Sequence, residues 1–314
     1  MADWRSHLFL ALVALCGVFA GVDARSDAPA APARAAAQHD VFWAVHQGAE
    51  PAGYLLGTVH SEDPRVLEFT EEFLERLGDC DTYAMELVPD LPTMQRLLQV
   101  MQLPEGERLE PLLGERRYQA VRAAVGAYGV PDDRLERMKP WAAMMTLSLP
   151  PPKTGLFLDF SLSLRAAGMG LDVAGLETLE EQLAFLDTLD LTDQVALLDQ
   201  ALADHGQVQA VHDRLVDTYL EADLAALQAA SDEQMAALEP EVRDWFQAEG
   251  IDARNRRMAE AALPLFHAGC TFVAVGALHL PGESGLIALL EQAGFRLSPL
   301  PSPFTVVQAE AALP

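Results

Sequence analysis

Short apolar runs near both ends of the chain are separated by helical patterns and predict two similar segments of structure. Near the start, residues 41–44 and 54–57 predict a pair of strands joined by a glycine-containing turn. Residues 63–78 have the apolar spacing of a helix, and residues 81–87 predict the next strand. A strand, a helix and a strand in this order predict a βαβ unit with parallel strands.

The end of the chain repeats this organisation. Residues 271–276 predict a buried strand, residues 283–293 a helix and residues 295–298 a further strand. Between the two βαβ segments, residues from about 91 to 267 predict a large helical insertion, broken by one predicted strand at 171–175. We therefore expect an α/β fold with a central mixed, largely parallel sheet built from the N- and C-terminal βαβ segments.

The first residues have the pattern of a targeting signal. An apolar stretch over residues 8–22 is followed by Val22-Asp23-Ala24, which resembles an A-x-A cleavage site. These features predict a signal peptide at residues 1–24, an Ala/Pro-rich linker at 25–39 and a domain over 40–308. They predict an exported protein, periplasmic or extracellular. The alternative is an uncleaved N-terminal anchor, because the apolar stretch is near the lower length limit of a membrane span.

Composition narrows the class of protein. With 314 residues, half of them hydrophobic, the chain is large enough to bury a substantial core and is not a disordered protein. Acidic residues number 47 and basic residues 21, giving a formal net charge of -26. Such a charge repels phosphate backbones and anionic membrane surfaces, so we expect no nucleic-acid partner. No stretch after the first 24 residues is long and apolar enough to cross a bilayer, so we expect no membrane span in the mature chain.

Two cysteines remain after the predicted cleavage, and each lies just before a predicted strand. Cys80 precedes the strand at 81–87 and Cys270 precedes the strand at 271–276. In an exported protein they could form a disulfide if the two strands are neighbours in the sheet. Two buried free thiols are the alternative.

A G-x-x-H pattern follows an apolar strand in both βαβ segments, ending at His60 and at His279. Sites in open parallel sheets form at the carboxyl ends of strands, so the repeated pattern predicts one shared site. Glu86, an acid late in its strand, is a third candidate. Two imidazoles and a carboxylate can hold a divalent ion with positions left open for water. Alternatively, each histidine is a structural residue and Glu86 points to solvent from an edge strand.

Five segments in a fixed order extend across the predicted domain. They are YLLGTVHSEDP, YAMELVP, GLDVAGLETLEEQ, RNRRMA and FVAVGALHLPGESGLIALLEQAGF. This ordered set resembles the TraB/GumN family, which includes bacterial pheromone-shutdown proteins and the animal TIKI proteases. The resemblance implies a fold related to erythromycin-esterase-like and ChaN-like proteins and, for the TIKI branch, a metal-dependent peptidase activity.

The resemblance also assigns roles to the histidines and the acid. It implies that His60 and His279 are metal ligands, with Mn, Co or Zn as the candidate ions. It places Glu86 beside them, as a third ligand or as the general base.

Three further polar residues are candidates for the site. The resemblance implies that Arg254 faces it, accompanied by Asn255, where an arginine can bind a substrate carboxylate or stabilise an oxyanion. Ion pairs with Glu249, Asp252 or Glu260 explain Arg254 equally well. Glu177 is either a site residue or a helix-start acid favoured by the helix dipole. Asp159 is unusual because it stands among apolar residues.

These observations lead to one principal hypothesis and an alternative. The chain is predicted to be an exported metal-dependent hydrolase, a peptidase acting on a peptide or protein substrate. The alternative is a non-catalytic protein that binds a peptide, a pheromone or another small ligand in the same cleft.

Overall fold

The computed structural model of the chain describes residues 40–305 except residue 237. The predicted signal peptide at 1–24 and the whole linker at 25–39 lie outside the described residues, as does the end of the chain after 305. Within the described part, the chain divides into two compact units. We call them the sheet unit, with residues 40–88, 156–178 and 214–305, and the helical unit, with Pro89–Gly155 and Leu179–Asp213.

The sheet unit is built on a six-stranded sheet. Its strands in chain order are β1 (Phe42–Gln47), β2 (Glu50–Thr58), β3 (Thr82–Met85), β4 (Asp172–Gly175), β5 (Thr271–Gly276) and β6 (Arg296–Pro299). Their order across the sheet is β4-β3-β5-β2-β1-β6. The strands β4, β3, β5 and β2 are parallel, and β1 is antiparallel to both of its neighbours. The predicted α/β class with a mixed, largely parallel sheet is confirmed.

Within the described residues the chain forms fifteen α-helices and several shorter helical segments. The α-helices are α1 (Pro64–Leu67), α2 (Glu71–Gly78), α3 (Leu91–Val100), α4 (Leu109–Leu113), α5 (Glu115–Val125), α6 (Asp132–Leu135), α7 (Pro140–Leu147), α8 (Leu158–Met169), α9 (Leu179–Leu183), α10 (Leu191–Asp204), α11 (Val208–Leu220), α12 (Leu224–Met235), α13 (Pro240–Trp245), α14 (Ala253–Ala268) and α15 (Leu286–Gln292). The 3₁₀ segments are Gly126–Tyr128, Ala184–Thr188, His205–Gln207 and Ala277–His279, and a π-helix covers Phe246–Asp252. None of the described helices is long and apolar enough to cross a membrane.

The helix predicted over residues 63–78 is divided into α1 and α2. Asp63 caps α1 through a side-chain oxygen that accepts from the backbone N–H of Arg65. A second cap follows at Thr70, whose hydroxyl accepts from the N–H of Phe73 at 3.3 Å. Because a threonine in extended conformation is a favourable N-cap, it starts a new helix inside the continuous apolar pattern.

The core of the sheet unit lies around β5, whose six residues are all buried. A strand covered on both faces has an uninterrupted apolar sequence, as Thr271–Gly276 does. The ring of Phe42 on β1 lies 5.9 Å from that of Phe272 on β5 and 5.2 Å from that of Phe73 on α2. These contacts join α2 to the sheet and so fix the βαβ connection between β2 and β3.

Cys80 and Cys270 form a disulfide with their Cα atoms 4.6 Å apart. The two residues precede the neighbouring parallel strands β3 and β5, so of the two alternatives the structure has the disulfide rather than the free thiols. The bond joins positions separated by 190 residues in the sequence.

The helical unit contains α3 to α7, α9 and α10. Its largest fully buried side chain is Trp141, whose indole N–H donates to Oδ1 of Asp187 at 2.7 Å. The region predicted as a helical insertion, residues 91–267, contributes to both units, since β4 and residues 214–267 belong to the sheet unit.

Candidate functional site

The carboxyl ends of three adjacent parallel strands position the predicted site residues. Thr58 at the end of β2 pairs with Gly276 at the end of β5. His60 follows β2 by two residues and His279 follows β5 by three. Glu86 directly follows β3, the other neighbour of β5. The three residues therefore lie at the same edge of the sheet, as expected for a site in an open parallel sheet.

The glycines of the two G-x-x-H patterns make different contacts. A Cβ atom on Gly57 would lie 2.9 Å from Cα of Ala277, so β2 can approach the end of β5 only with glycine at this position. The backbone N–H of Gly276 donates to Oε1 of Glu86 at 2.7 Å. The second pattern thus supplies a hydrogen bond to the predicted acid as well as a histidine.

Glu86 belongs to a buried cluster of two carboxylates and one guanidinium. Nη2 of Arg254 lies 2.6 Å from Oε2 of Glu86 and 2.7 Å from Oε2 of Glu177. Nε of Arg254 also donates to Oε2 of Glu177, at 2.9 Å. Nη2 of Arg257 lies 3.4 Å from the other oxygen of Glu177. Arg254 is 0% exposed, so its charge acts on carboxylates inside the protein.

The two carboxylates differ in their affinity for a proton. Burial raises the pKa of Glu86, but the charges of Arg254 and His279 and the N–H of Gly276 outweigh burial and lower the pKa to about 2. Burial is also the largest influence on Glu177, and there it prevails over Arg254 and raises the pKa. Glu86 is therefore ionised at neutral pH.

His279 is fixed between an amide and this carboxylate. Its Nδ1 lies 2.5 Å from Oδ1 of Asn255, and its Nε2 lies 3.8 Å from Oε1 of Glu86. Burial lowers the pKa of His279 to about 4, with Glu86 opposing the shift and Arg254 adding to it. The imidazole is therefore neutral at neutral pH.

His60 is part of a second histidine and carboxylate pair. Its ring stacks on Phe157 with centroids 3.8 Å apart and planes inclined by 16°. Nδ1 of His60 lies 3.7 Å from Oδ2 of Asp159, and the other carboxylate oxygen of Asp159 accepts from the hydroxyl of Thr58. All four residues are buried, so this pair is held in place from several sides.

The structure gives the surroundings of Glu86, Arg254 and Glu177, for which the sequence left alternatives open. Glu86 is buried and its strand β3 lies between β4 and β5, so it does not point to solvent from an edge strand. Arg254 forms ion pairs with Glu86 and Glu177, which lie 168 and 77 positions away in the sequence. Glu177 is buried against Arg254, so it is more than an exposed acid at a helix start.

Two contacts of the site were not predicted. The resemblance implies that Asn255 accompanies Arg254 at the site, but the sequence did not predict its contact with His279. The contact of Asp159 with His60 was not predicted either, although the sequence contained a signal for it. Asp159 stands in an apolar run, where a buried acid needs partners because its burial is costly.

The residues fit a divalent cation in the type and charge of their donors. A neutral imidazole nitrogen on His279 and an ionised oxygen on Glu86 face each other at 3.8 Å, and such donors suit Zn, Mn or Co. The described part of the chain contains no group of three or more His, Cys, Asp or Glu residues arranged to hold a metal ion. Joint ligation by His60, His279 and Glu86 therefore stays a prediction.

The chain is similar to proteins named as metalloproteases. The chain is 27% identical to metalloprotease TIKI2 of Xenopus tropicalis, over 86% of this chain and 61% of that protein. It is 25% identical to metalloprotease TIKI1 of Danio rerio, over 83% of this chain and 63% of that protein. The chain thus spans less than two thirds of the length of these relatives. No solved structure matches it significantly.

The family comparison covers nearly all of the described residues. The model of the TraB/PrgY/gumN family matches residues 41–299, a range that includes the whole sheet and every candidate site residue. The chain therefore belongs to the TraB/PrgY/gumN family.

Proposed function

We propose that this protein is an exported metal-dependent hydrolase that cleaves amide bonds of a peptide or protein. The observation that carries the proposal is the buried pair formed by Nε2 of His279 and Oε1 of Glu86, 3.8 Å apart. Both groups are in the protonation state in which they bind metals, because the first is neutral and the second is ionised. The similarity to relatives named metalloproteases supports the same conclusion.

Glu86 acts in this proposal as a metal ligand rather than as the general base. A general base works best with a pKa near the working pH, and the pKa of Glu86 is about 2. Arg254 contacts the Glu86 carboxylate through Nη2, and the N–H of Gly276 donates to its other oxygen. Glu177 contacts the same nitrogen of Arg254. In this proposal Arg254 positions the ligand and Glu177 positions Arg254.

His60 is proposed as the third metal ligand. It follows β2, the direct neighbour of β5, and lies at the same edge of the sheet as His279. Asp159 and Phe157 hold its ring. A divalent ion bound by these residues would supply Lewis-acid activation of water and of the substrate carbonyl.

Export is supported by two independent features. The apolar stretch over residues 8–22 with its cleavage-site pattern indicates a signal peptide. The disulfide between Cys80 and Cys270 is of the kind that persists in oxidising compartments.

The test combines metal analysis with cleavage of a peptide library by the purified protein. We expect the wild type to retain a divalent metal and to cleave peptides in a reaction that chelators stop. His279→Ala and His60→Ala should each lose more than ~100-fold in activity. Substituting a residue that only supports a metal ligand costs about 10–100-fold, and loss of a ligand itself should cost more. His267→Ala is the matched control. His267 is exposed on α14, and its Nδ1 bonds the backbone carbonyl of Leu263 in the same helix.

Two results would contradict the proposal. One is a protein that neither retains nor requires a divalent metal. The other is peptide binding without turnover that survives both His60→Ala and His279→Ala, which would favour the non-catalytic binding protein.

A further inference from the structure

We propose that Asn255 is a positioning residue that holds His279 in one tautomer, with the proton on Nδ1 and the lone pair on Nε2. The purpose of this arrangement rests on the proposed function, because a metal ligand needs the lone pair. The tautomer itself is a property of the protein without metal and can be tested separately.

The orientation of the Asn255 amide is fixed by its second hydrogen bond. Nδ2 of Asn255 lies 2.9 Å from the backbone carbonyl oxygen of Ser284. A carbonyl oxygen can only accept, so the amide nitrogen must be on this side and the amide oxygen on the side of His279. Oδ1 of Asn255 then accepts, and Nδ1 of His279 at 2.5 Å must donate. In the neutral ring the proton is therefore on Nδ1.

The position of the amide is fixed by the start of α14 and by the loop after His279. Asn255 is nearly fully buried in the first turn of α14, directly after the π-helix Phe246–Asp252. The hydroxyl of Ser284 donates to Oδ1 of Asp252 at 2.7 Å, which ties this loop to the end of the π-helix. The buried residues Arg254 and Asn255 come just after this π-helix. π-helical turns occur often at functional sites.

The consequence lies on the opposite side of the imidazole. With Nδ1 protonated, the lone pair is on Nε2, which is the atom that lies 3.8 Å from Oε1 of Glu86. The opposite tautomer would present an N–H to Glu86 and would leave the two groups unable to share a cation. A histidine ligand usually donates its other N–H to a neighbouring acceptor, and Asn255 is that acceptor here.

The tautomer can be measured in the full-length protein labelled with ¹⁵N at histidine, with metal removed by a chelator. The His279 signals are assigned by their loss in His279→Gln. We expect a pyrrole-like Nδ1 and a pyridine-like Nε2 in the wild type. A wild type with the proton on Nε2 would overturn the inference without any variant of Asn255.

Two substitutions of Asn255 separate the acceptor from the rest of the side chain. Asn255→Ala removes the acceptor, so we expect the single tautomer to be lost and Zn²⁺ affinity, measured by calorimetric titration, to fall by ~10–100-fold. Asn255→Asp retains an accepting oxygen and should retain the wild-type tautomer. His267→Ala is the control, because His267 is exposed on the same helix and its Nδ1 bonds the backbone carbonyl of Leu263.

The outcomes distinguish this inference from the proposed function. If Asn255→Ala matches the wild type in both tautomer and Zn²⁺ affinity, the positioning role is wrong even if the protein is a metallopeptidase. If the wild type binds no Zn²⁺, Mn²⁺ or Co²⁺, the proposed function is wrong, whereas the ¹⁵N signals of wild type and Asn255→Ala still decide the role of Asn255.

Discussion

Nη2 of Arg254 and Oε2 of Glu86 form an ion pair at 2.6 Å, with no exposed surface on the arginine side chain. The same nitrogen also contacts Glu177, so one guanidinium connects the end of β3 to the segment that follows β4. The energetic importance of this arrangement comes from burial, because a carboxylate away from water needs a partner.

Arg254→Met should be strongly destabilising. It leaves Glu86 and Glu177 buried without the guanidinium, and breaking a buried ion pair from one side costs about 3–5 kcal/mol. We expect a large fall in the midpoint of urea or thermal unfolding. Arg122→Met is the control, because its pair with Asp132 is about half exposed on both sides and such pairs contribute about 0–1 kcal/mol. Equal effects of the two substitutions would contradict the importance of burial.

Glu86→Gln should lower metal affinity and activity, while Glu177 remains as a charged partner of the buried Arg254. The amide keeps the shape of the side chain and removes the negative charge that faces Nε2 of His279. We expect metal affinity to fall by more than ~10-fold and peptide cleavage by more than ~100-fold, measured by metal titration and by library cleavage. Glu180→Gln removes an exposed acid paired with Arg96 and should change neither. A Glu86→Gln protein that binds metal as tightly as the wild type would exclude Glu86 as a ligand.

Loss of the disulfide should destabilise the protein because the bond closes a long loop. Its cysteines are 190 residues apart, and disulfides typically contribute about 2–4 kcal/mol by restricting the unfolded chain. We expect the Cys80→Ala, Cys270→Ala double variant to unfold at lower denaturant concentration than the wild type. Thiol titration of the denatured protein before and after reduction gives an independent check. Reduction should release two additional thiols, and an unchanged number would show that the bond is absent.

Gly57→Ala should destabilise the sheet at the site, whereas Gly168→Ala should not. A Cβ on Gly57 would lie 2.9 Å from the backbone of Ala277, so the ends of β2 and β5 would have to separate. Gly168 is an exposed residue inside α8 with open space around a new Cβ, and alanine there should stabilise by about 0.5–1 kcal/mol. Thermal unfolding measures both effects. Activity provides a second measurement, because separation of the strands moves His60 away from the end of β5.

Local patterns were sufficient to predict the framework of the sheet unit. The apolar run at 271–276 predicts a strand buried on both faces, and it is the central strand β5. The G-x-x-H patterns predict histidines at the carboxyl ends of parallel strands, and β2 and β5 pair in register at that edge. These predictions depend only on residues close in sequence, so they need no knowledge of the path of the chain.

The sequence pattern was less reliable where two local signals compete. The apolar spacing over residues 63–78 fits one helix, but the cap at Thr70 divides it into α1 and α2. A cap contributes about 1 kcal/mol, which is enough to change the course of a short helix without changing its apolar pattern.

The sequence by itself determined the class of fold and the position of His60 and His279 just after strands that end at the same edge of the sheet. Only the tertiary structure decided which groups face them: Arg254 and Glu177 beside Glu86, Asn255 beside His279, and Asp159 beside His60. The physical reason is that strands and helices follow from neighbouring residues, whereas these polar contacts join residues 24 to 168 positions apart. The order of the strands in the sheet therefore sets which polar residues meet. Burial then makes each pairing necessary.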